Sequence, residues 1–521
     1  MRGRVAGALA GVAAAAVALA VAELATVATG SESGPLVAVG GVVVDNSPEP
    51  VTEFGIEVFG TNDKNALLVG TILLLAGCAA GLGALAVRWR WVGLAGLAGF
   101  AAIGVGAALT RHEAPLTAAV PTLLGALAAG VTFFALASRA GLATSIMDLW
   151  RRHADDTREK LHDRAGRVGD RRAFLKAAGL TAGAAVVAGL GGRWAATRRD
   201  VSEARAAVAL PVPVDPAPAV PAGADLAVPD LATYVTSNRT FYRIDTALAV
   251  PQVDPETWEL RIHGRVRNPY TISFQELLAR PMVERYVTLA CVSNDVGGNL
   301  IGNARWLGVP VAELLAEAGP EPGADQVVSR SVDGWTCGSP TSVLTDGRDA
   351  LLAVGMNGVP LPVEHGFPVR MVVPGLYGYV SACKWITEIE LSSFADYDAY
   401  WIPRGWAQQA PIKTQSRIDT PRSRATAGTV MVAGVAWAQH RGIERVEVQV
   451  DGGDWQVAEL ADTVSADTWR QWSWRWEAVI PGEHQLAVRA TDSTGETQPS
   501  EPRPPAPDGA TGWHTVQVEV R

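Results

Sequence analysis

Long apolar runs separated by short polar connections fill the first 140 residues. Four of these runs extend over about 20 residues each with almost no charge, which is the length a helix needs to cross the hydrocarbon core of a bilayer. They occupy residues 5–28, 66–87, 91–110 and 116–137. The pattern predicts four transmembrane helices within residues 1–138. The first run also fits a cleaved signal peptide, and that alternative stays open.

Basic residues predict the orientation of these helices, because Lys and Arg near a span stay on the cytoplasmic side. Arg2 and Arg4 precede the first run, and Arg88 separates the second run from the third. Residues 139–176 are rich in Arg and Lys, which predicts a basic cytoplasmic loop. The acidic stretch 45–63 is then expected on the outer side.

A fifth apolar segment at 177–192 is shorter and richer in small residues than the first four. It follows Arg171-Arg172-Ala173-Phe174-Leu175-Lys176, which fits a twin-arginine export motif. The alternative is an ordinary basic flank before a span. Because twin-arginine export carries proteins that are already folded, this motif predicts that residues 193–521 fold inside and work outside.

The polar part of the chain begins with a segment rich in proline and alanine, 193–233, which predicts an extended spacer. Residues 234–410 mix short β-like runs with helical ones such as 310–317, and this mixture predicts an α+β domain. Residues 411–521 alternate apolar and polar positions, which predicts an immunoglobulin-like β-sandwich. Its expected strands are 428–438, 443–450, 469–479, 484–491 and 513–520.

Composition limits the functions that these domains can have. The net charge of −9 and the pI near 5.5 argue against a nucleic-acid binder, which needs a basic face. Only four cysteines occur in 521 residues, and Cys291 ends an apolar run in YVTLACVSND. By itself such a cysteine is more often a small buried hydrophobe. No CxxC or paired histidines accompany it, so the spacing does not indicate a zinc site.

Several ordered stretches make residues 234–521 similar to the sulfite oxidase family of molybdopterin-dependent oxidoreductases. The stretches are SNRTFYRIDTALAVPQVDPETWELRIHG (237–264), TLACVSND (288–295), IGNARWLGVPVAELL (301–315), MNGVPLPVEHGFPVRMVVPG (356–375) and CKWI (383–386). In that family the C-terminal β-sandwich is a dimerisation domain. The resemblance implies an α+β molybdopterin domain at 234–410 and a possible homodimer through 411–521.

The resemblance also implies a cofactor site that contains molybdenum and molybdopterin. Cys291 matches the thiolate that binds molybdenum, and a thiolate is a soft ligand suited to a redox-active metal. Other positions match residues that contact the pterin or its phosphate. They are Asn238, Phe241, Tyr242, Asp333, Thr336, His365, Arg370 and Lys384.

The substrate side of this predicted site departs from the family pattern. Arg243 matches an arginine that sulfite-oxidising members keep beside the metal, and it is the second predicted catalytic residue. After the metal cysteine those members carry paired arginines, where this chain has Asp295 and Val296. The active-site tyrosine also has no single counterpart, and the candidates are Tyr397, Tyr400 and Trp406. The resemblance therefore supports the family without singling out sulfite.

Partners follow from the same reasoning. The chain has no CxxCH haem motif and no histidine in its predicted spans, which predicts a separate redox partner in or at the membrane. The functional hypothesis is a membrane-anchored molybdopterin oxidoreductase that acts on a small molecule outside the cytoplasmic membrane. The alternative is a non-catalytic, membrane-anchored binding or structural module that keeps the fold.

Overall fold

The computed structural model describes residues 2–29, 33–47, 63–110, 114–139, 171–197 and 201–521, together with positions 51 and 58. The chain divides into two compact units. The first comprises Met1–Asp200 with Thr246–Pro251, and the second comprises Val201–Asp245 with Gln252–Arg521.

The first unit is helical. Its helices are α1 (Arg2–Thr29), α2 (Pro35–Asn46), α3 (Asp63–Ala86), α4 (Arg90–Leu109), α5 (Val120–Arg139) and α6 (Arg171–Thr197). Helix α1 packs against α3, α5 and α6. Small residues allow this close approach, since a Cβ on Gly11 would lie 2.1 Å from the Ala79 carbonyl oxygen.

Four helical stretches are long and apolar enough to cross a membrane, in agreement with the four predicted runs. They are Gly3–Thr29, Ala66–Ala86, Trp91–Leu109 and Leu116–Arg139. Two shorter apolar stretches are Pro35–Asn46, which the sequence analysis did not predict, and Leu175–Gly189, which overlaps the predicted fifth span. Most of the predicted basic loop, residues 140–170, lies outside the described residues.

The second unit begins with the described part of the predicted spacer. It contains the short helix α7 (Ser202–Ala207) and then extended chain. This extended chain is bonded to the domain: Val214 N donates to the Met282 carbonyl at 2.8 Å, and Glu284 N donates to the Asp215 carbonyl at 2.9 Å. The chain around residues 214–215 is therefore paired with the edge of β3, because an extended backbone can bond to an open strand edge.

Two sheets build the α+β domain. Sheet one has the order β2-β1-β10-β5-β6, and sheet two has the order β3-β4-β7-β8 with β9 beside β7. The strands are β1 (Glu259–Gly264), β2 (Tyr270–Ser273), β3 (Val283–Ala290), β4 (Ile301–Pro310), β5 (Gln326–Ser331), β6 (Thr336–Pro340), β7 (Leu351–Met356), β8 (Val359–Pro360), β9 (Arg370–Val372) and β10 (Ile386–Ser392). The helices are α8 (Phe274–Leu278), α9 (Val311–Ala318) and α10 (Thr341–Leu344). Helix α9 lies where the 310–317 pattern predicts one.

The C-terminal part is β-rich. One sheet has the order β11-β13-β17-β16, and the other has the order β12-β19-β18-β14-β15. The strands are β11 (Gln415–Thr420), β12 (Arg424–Ala425), β13 (Gly428–Trp437), β14 (Ile443–Val450), β15 (Gln456–Val457), β16 (Glu459–Leu460), β17 (Arg470–Ala478), β18 (Gly482–Asp492) and β19 (His514–Val520). Buried residues of both sheets, among them Val432, Trp472 and Val488, share one core. The five long strands coincide with the five predicted from alternation.

Candidate active site

Cys291 follows β3 directly and opens a loop that returns into β4. Ala290 of β3 is paired with Ile301 of β4, so the loop is closed at its base. Two hydrogen bonds tighten it: Cys291 N donates to the Leu300 carbonyl at 2.9 Å, and Leu300 N donates to Asn294 Oδ1 at 2.7 Å. The strand pairing and the Asn294 side chain therefore fix the backbone that carries the thiol.

The C-terminal strands hold the same loop from the other side. Arg417 of β11 donates from Nη1 to the Gly298 carbonyl at 2.7 Å, and the His514 ring lies directly against Gly297. Gly297 has φ +78°, and a Cβ there would lie 2.1 Å from His514 Cδ2. Only glycine fits this position, which sequence reasoning did not identify.

The Cys291 thiol is partly buried. Burial raises its pKa, and hydrogen bonds with Ser293 and the positive charge of Lys384 act in the opposite direction. Without a metal the group is therefore a thiol at neutral pH. A metal ion would replace its proton, since metal ligation requires the thiolate.

Arg370 is the most deeply buried cation of the site, with 5% of its surface exposed. Burial lowers its pKa to about 10. Its Nη1 donates to the His365 carbonyl at 3.2 Å, and its guanidinium lies 5.0 Å from the centre of the Trp306 ring. Among the described residues it forms no ion pair with a carboxylate. A buried charge of this kind is costly unless an anion joins it.

Lys384 is the second buried cation, with 9% of its surface exposed. Burial lowers its pKa to about 8, against the opposing effect of Asp245, whose Oδ2 lies 2.7 Å from Nζ. Gly366, with φ +108°, allows the two cations to approach each other. A Cβ there would lie 3.0 Å from Arg370 Cβ and 3.1 Å from Lys384 Cβ. The glycine of HGFPVR thus has a steric role.

Aromatic rings form the wall beside these cations. Phe241 stacks on Tyr242 at 5.2 Å and meets Trp306 and His365 edge-on at 5.8 and 5.6 Å. Burial raises the pKa of Tyr242 well above its ordinary value, and the neighbouring Cys291 acts in the same direction. Burial lowers the pKa of His365 to about 4, so its ring is neutral and donates from Nε2 to the Asn238 carbonyl at 3.0 Å.

The remaining predicted cofactor contacts lie in tight turns and strand ends. Asn238 Oδ1 accepts a hydrogen bond from Asn357 Nδ2 at 2.7 Å. Asp333 and Thr336 flank the turn between β5 and β6, where they accept from Trp335 N at 3.1 Å and from Tyr400 N at 3.1 Å. This turn is joined to the Lys384 segment, because Val332 N donates to the Trp385 carbonyl at 3.0 Å.

The three aromatic candidates for the missing tyrosine differ in their surroundings. The Tyr397 hydroxyl donates to Thr336 Oγ1 at 3.3 Å, and Tyr400 meets the same oxygen through its backbone. Trp406 instead packs against Tyr379, with ring centres 5.6 Å apart. The choice among the three stays a prediction.

Arg243 lies at the edge of the site, with 37% of its side chain exposed. Its Nε and Nη2 donate to the two oxygens of Asp245 at 2.8 and 3.3 Å. Asp245 is itself only 5% exposed and also binds Lys384. Sequence reasoning missed Asp245, because its pairing with Lys384 joins residues 139 positions apart. Asp295 is exposed in the loop after Cys291.

The residues present fit a molybdenum cofactor. Arg370 lacks a carboxylate among the described residues, and Asn294 Nδ2 is buried with no hydrogen-bond partner there. Together with Lys384 these groups are donors suited to an anionic pterin phosphate and its polar ring edge. Cys291 is the matching soft ligand for the metal.

Comparison with known proteins agrees with this chemistry. The oxidoreductase molybdopterin binding domain matches residues 247–401, and the Mo-co oxidoreductase dimerisation domain matches residues 408–520. The sulfite oxidase of Gallus gallus is 31% identical over 325 residues, covering 52% of this chain and 69% of that protein. This chain belongs to the sulfite oxidase family of molybdopterin-dependent oxidoreductases. It is therefore an enzyme of a family that uses a molybdenum cofactor.

The chain is also similar to other proteins. The NAD(P)H nitrate reductase of Hordeum vulgare is 28% identical over 317 residues, covering 48% of this chain and 35% of that protein. The sulfane dehydrogenase SoxCD of Paracoccus pantotrophus has a solved structure that superposes with a TM-score of 0.48 at 24% identity, covering 56% of this chain and 82% of that one. Mitochondrial sulfite oxidases, such as that of Homo sapiens, are covered over 63% of their length.

Proposed function

We propose that the protein is a membrane-anchored molybdopterin oxidoreductase that transfers an oxygen atom, in a two-electron reaction, outside the cytoplasmic membrane. The observation that carries the proposal is the meeting of two buried cations, Arg370 and Lys384, with the thiol of Cys291. Arg370, which has no carboxylate partner among the described residues, is unfavourable there without an anion, and its charge becomes favourable when an anionic cofactor binds.

Each group has a stated role in this proposal. The cofactor supplies the oxygen-atom and electron chemistry when bound. Cys291 is the protein ligand of the metal, and Arg370 and Lys384 hold the pterin phosphate by charge-assisted hydrogen bonds. Neutral His365 and the rings of Phe241 and Tyr242 shape the pterin pocket. Asn238, Asp333 and Thr336 complete the predicted cofactor contacts.

The substrate is a small molecule, and Arg243 is the cation that we propose to bind it. Where the family resemblance implies paired arginines for sulfite oxidation, this chain has Asp295 and Val296. One charge-assisted hydrogen bond contributes about 1.5–3 kcal/mol, or about ten- to a hundred-fold in affinity. Sulfite is therefore a poor substrate, and an S-oxide or N-oxide fits better. Reduction of such an oxide consumes two electrons and two protons and releases its oxygen as water.

The helices support the proposed location. Four of them have the length and apolarity to cross a membrane, and Arg171 and Arg172 precede the fifth apolar segment. We propose a multi-pass protein whose catalytic domain is exported in folded form. Electrons come from or go to a separate redox partner in or at the membrane. The C-terminal domain, proposed to be immunoglobulin-like, joins two copies as a homodimer.

Metal and pterin analysis of the purified full-length protein, followed by steady-state kinetics with an artificial electron carrier, tests the proposal. We expect one molybdenum and one pterin per chain, turnover of an S-oxide or N-oxide, and a high KM for sulfite. A metal-free protein without any such turnover would support the non-catalytic alternative. Rapid turnover of sulfite at micromolar KM would instead contradict the proposed substrate class.

A further inference from the structure

We propose that Asp245 selects the charge of the substrate: its carboxylate, held between Arg243 and Lys384, favours a neutral or zwitterionic oxide over a dianion such as sulfite. This inference rests on the proposed function and deepens it. It concerns a residue that lies beside the predicted catalytic and cofactor residues and to which the sequence alone assigns no role.

Asp245 is hydrogen-bonded to both cations. Asp245 Oδ2 accepts hydrogen bonds from Lys384 Nζ at 2.7 Å and from Arg243 Nε at 2.8 Å. Lys384 is in turn close enough to Cys291 for its charge to affect the thiol. One carboxylate thus connects the cation at the edge of the site with the cation beside the metal ligand.

The same carboxylate fixes the direction of the Arg243 guanidinium. Asp245 engages Nε and Nη2, which form one edge of the planar group. The described residues give Nη1 no acceptor, so the opposite edge is the one that faces a ligand. Asp245 therefore orients Arg243 while it offsets its charge.

The negative charge of Asp245 also repels a bound oxyanion. An oxyanion bound to Nη1 of Arg243 would lie on the order of 7 Å from the Asp245 carboxylate, on the other side of the guanidinium. The effective dielectric constant near a protein surface is about 20. Repulsion at that distance weakens the binding of each negative charge by at least about tenfold. A dianion experiences it twice, whereas a sulfoxide or N-oxide has no net charge to be repelled.

The experiment is sulfate titration by calorimetry on the molybdenum-loaded, full-length protein in detergent. Sulfate is the probe for a dianion, and the bound cofactor keeps it out of the proposed phosphate site. The variant is Asp245→Asn, which keeps the shape and removes the charge. The control is Asp346→Asn: Asp346 pairs with Arg348 at the same two-residue spacing, with an Arg348 Nη2 to Asp346 Oδ2 distance of 2.7 Å, but is not part of the site.

We expect Asp245→Asn to lower the dissociation constant of sulfate at least tenfold and to raise the ratio of kcat/KM for sulfite to kcat/KM for a neutral sulfoxide. The control should bind sulfate as the native protein does. If the asparagine variant does not fold, Asp245→Ser, which also removes the charge, carries the same expectation.

Unchanged or weaker sulfate binding in a folded, fully loaded variant would overturn the inference and leave Asp245 as a structural clamp for Arg243. Failure of the proposed function is seen separately, as missing molybdenum or pterin in the native protein before any titration. An equal gain in sulfate affinity in the Asp346 control would also overturn it, because the effect would then be one of net charge alone.

Discussion

Replacing Arg370 with methionine tests whether the charge of this buried residue serves to bind the cofactor. Methionine has a similar unbranched stem and no charge. Because no carboxylate among the described residues pairs with Arg370, its charge destabilises the cofactor-free fold. The same charge should become stabilising once the pterin phosphate is bound. Arg370→Met should therefore leave the cofactor-free fold about as stable as before and destabilise the loaded one.

The pKa of Arg370 sets the magnitude. A decrease from 12.5 to about 10 corresponds to about 3 kcal/mol of unfavourable free energy for the charged group in the folded protein. Loss of the hydrogen bond to the His365 carbonyl and of the contact with the Trp306 ring offsets about 2 kcal/mol of this. The cofactor-free variant should thus be as stable as the native protein within about 1 kcal/mol. In the loaded state it should lose at least about 3 kcal/mol, or about a hundredfold in cofactor affinity.

The assay compares denaturant unfolding and pterin content for protein made with and without cofactor synthesis in the host. The control is Arg441→Met, because Arg441 Nε pairs with the fully buried Asp492 at 2.7 Å. It should destabilise both states equally, since it leaves Asp492 as a buried unpaired charge. Equal destabilisation of the two states by Arg370→Met would refute the assignment of Arg370 to the cofactor.

Three further predictions follow from the described contacts. Cys291→Ser should abolish turnover and lower the molybdenum content while the unfolding midpoint changes little, whereas the control Cys337→Ser should retain the metal. Full activity of Cys291→Ser at equal molybdenum loading would exclude Cys291 as the ligand. Changing both Arg171 and Arg172 to Lys should leave the catalytic domain protected from protease added to spheroplasts, and continued digestion would show that the pair only sets topology. Burial lowers the pKa of His514 to about 4, so on acidification the unfolded chain binds a proton before the folded protein does. The free energy of unfolding should therefore fall by about 2 kcal/mol between pH 7 and pH 5. His514→Asn, which can still accept from Ile418 N, should remove that part of the loss in urea unfolding; an unchanged slope would contradict it.

Local patterns predicted much of the fold. The alternation over 443–450 corresponds to Ile443–Val450, and the uncharged run at 91–110 corresponds to the apolar stretch Trp91–Leu109. Both patterns have a single favourable solution, because a half-buried strand needs period two and a long uncharged run needs internal hydrogen bonding. Helix Pro35–Asn46 was missed because an apolar run of 12 residues is too short to indicate a span.

The site was harder to predict because its parts come from distant positions. The motif HGFPVR pointed to Arg370 and His365 through family resemblance, and no periodicity would have found them. The pairing of Asp245 with Lys384 and of Arg417 with Gly298 joins residues more than 100 positions apart. Such contacts depend on how the sheets pack, and a local sequence pattern carries no record of that packing.

The bracing of the Cys291 loop by Arg417 and His514 has a consequence for biogenesis. The backbone around Cys291, the proposed metal ligand, is braced only when β11 and β19 are docked against its loop. Docking and cofactor insertion are therefore linked, so each increases the equilibrium population of the other. A variant that loosens either contact is therefore expected to retain less molybdenum although its Cys291 thiol is still present.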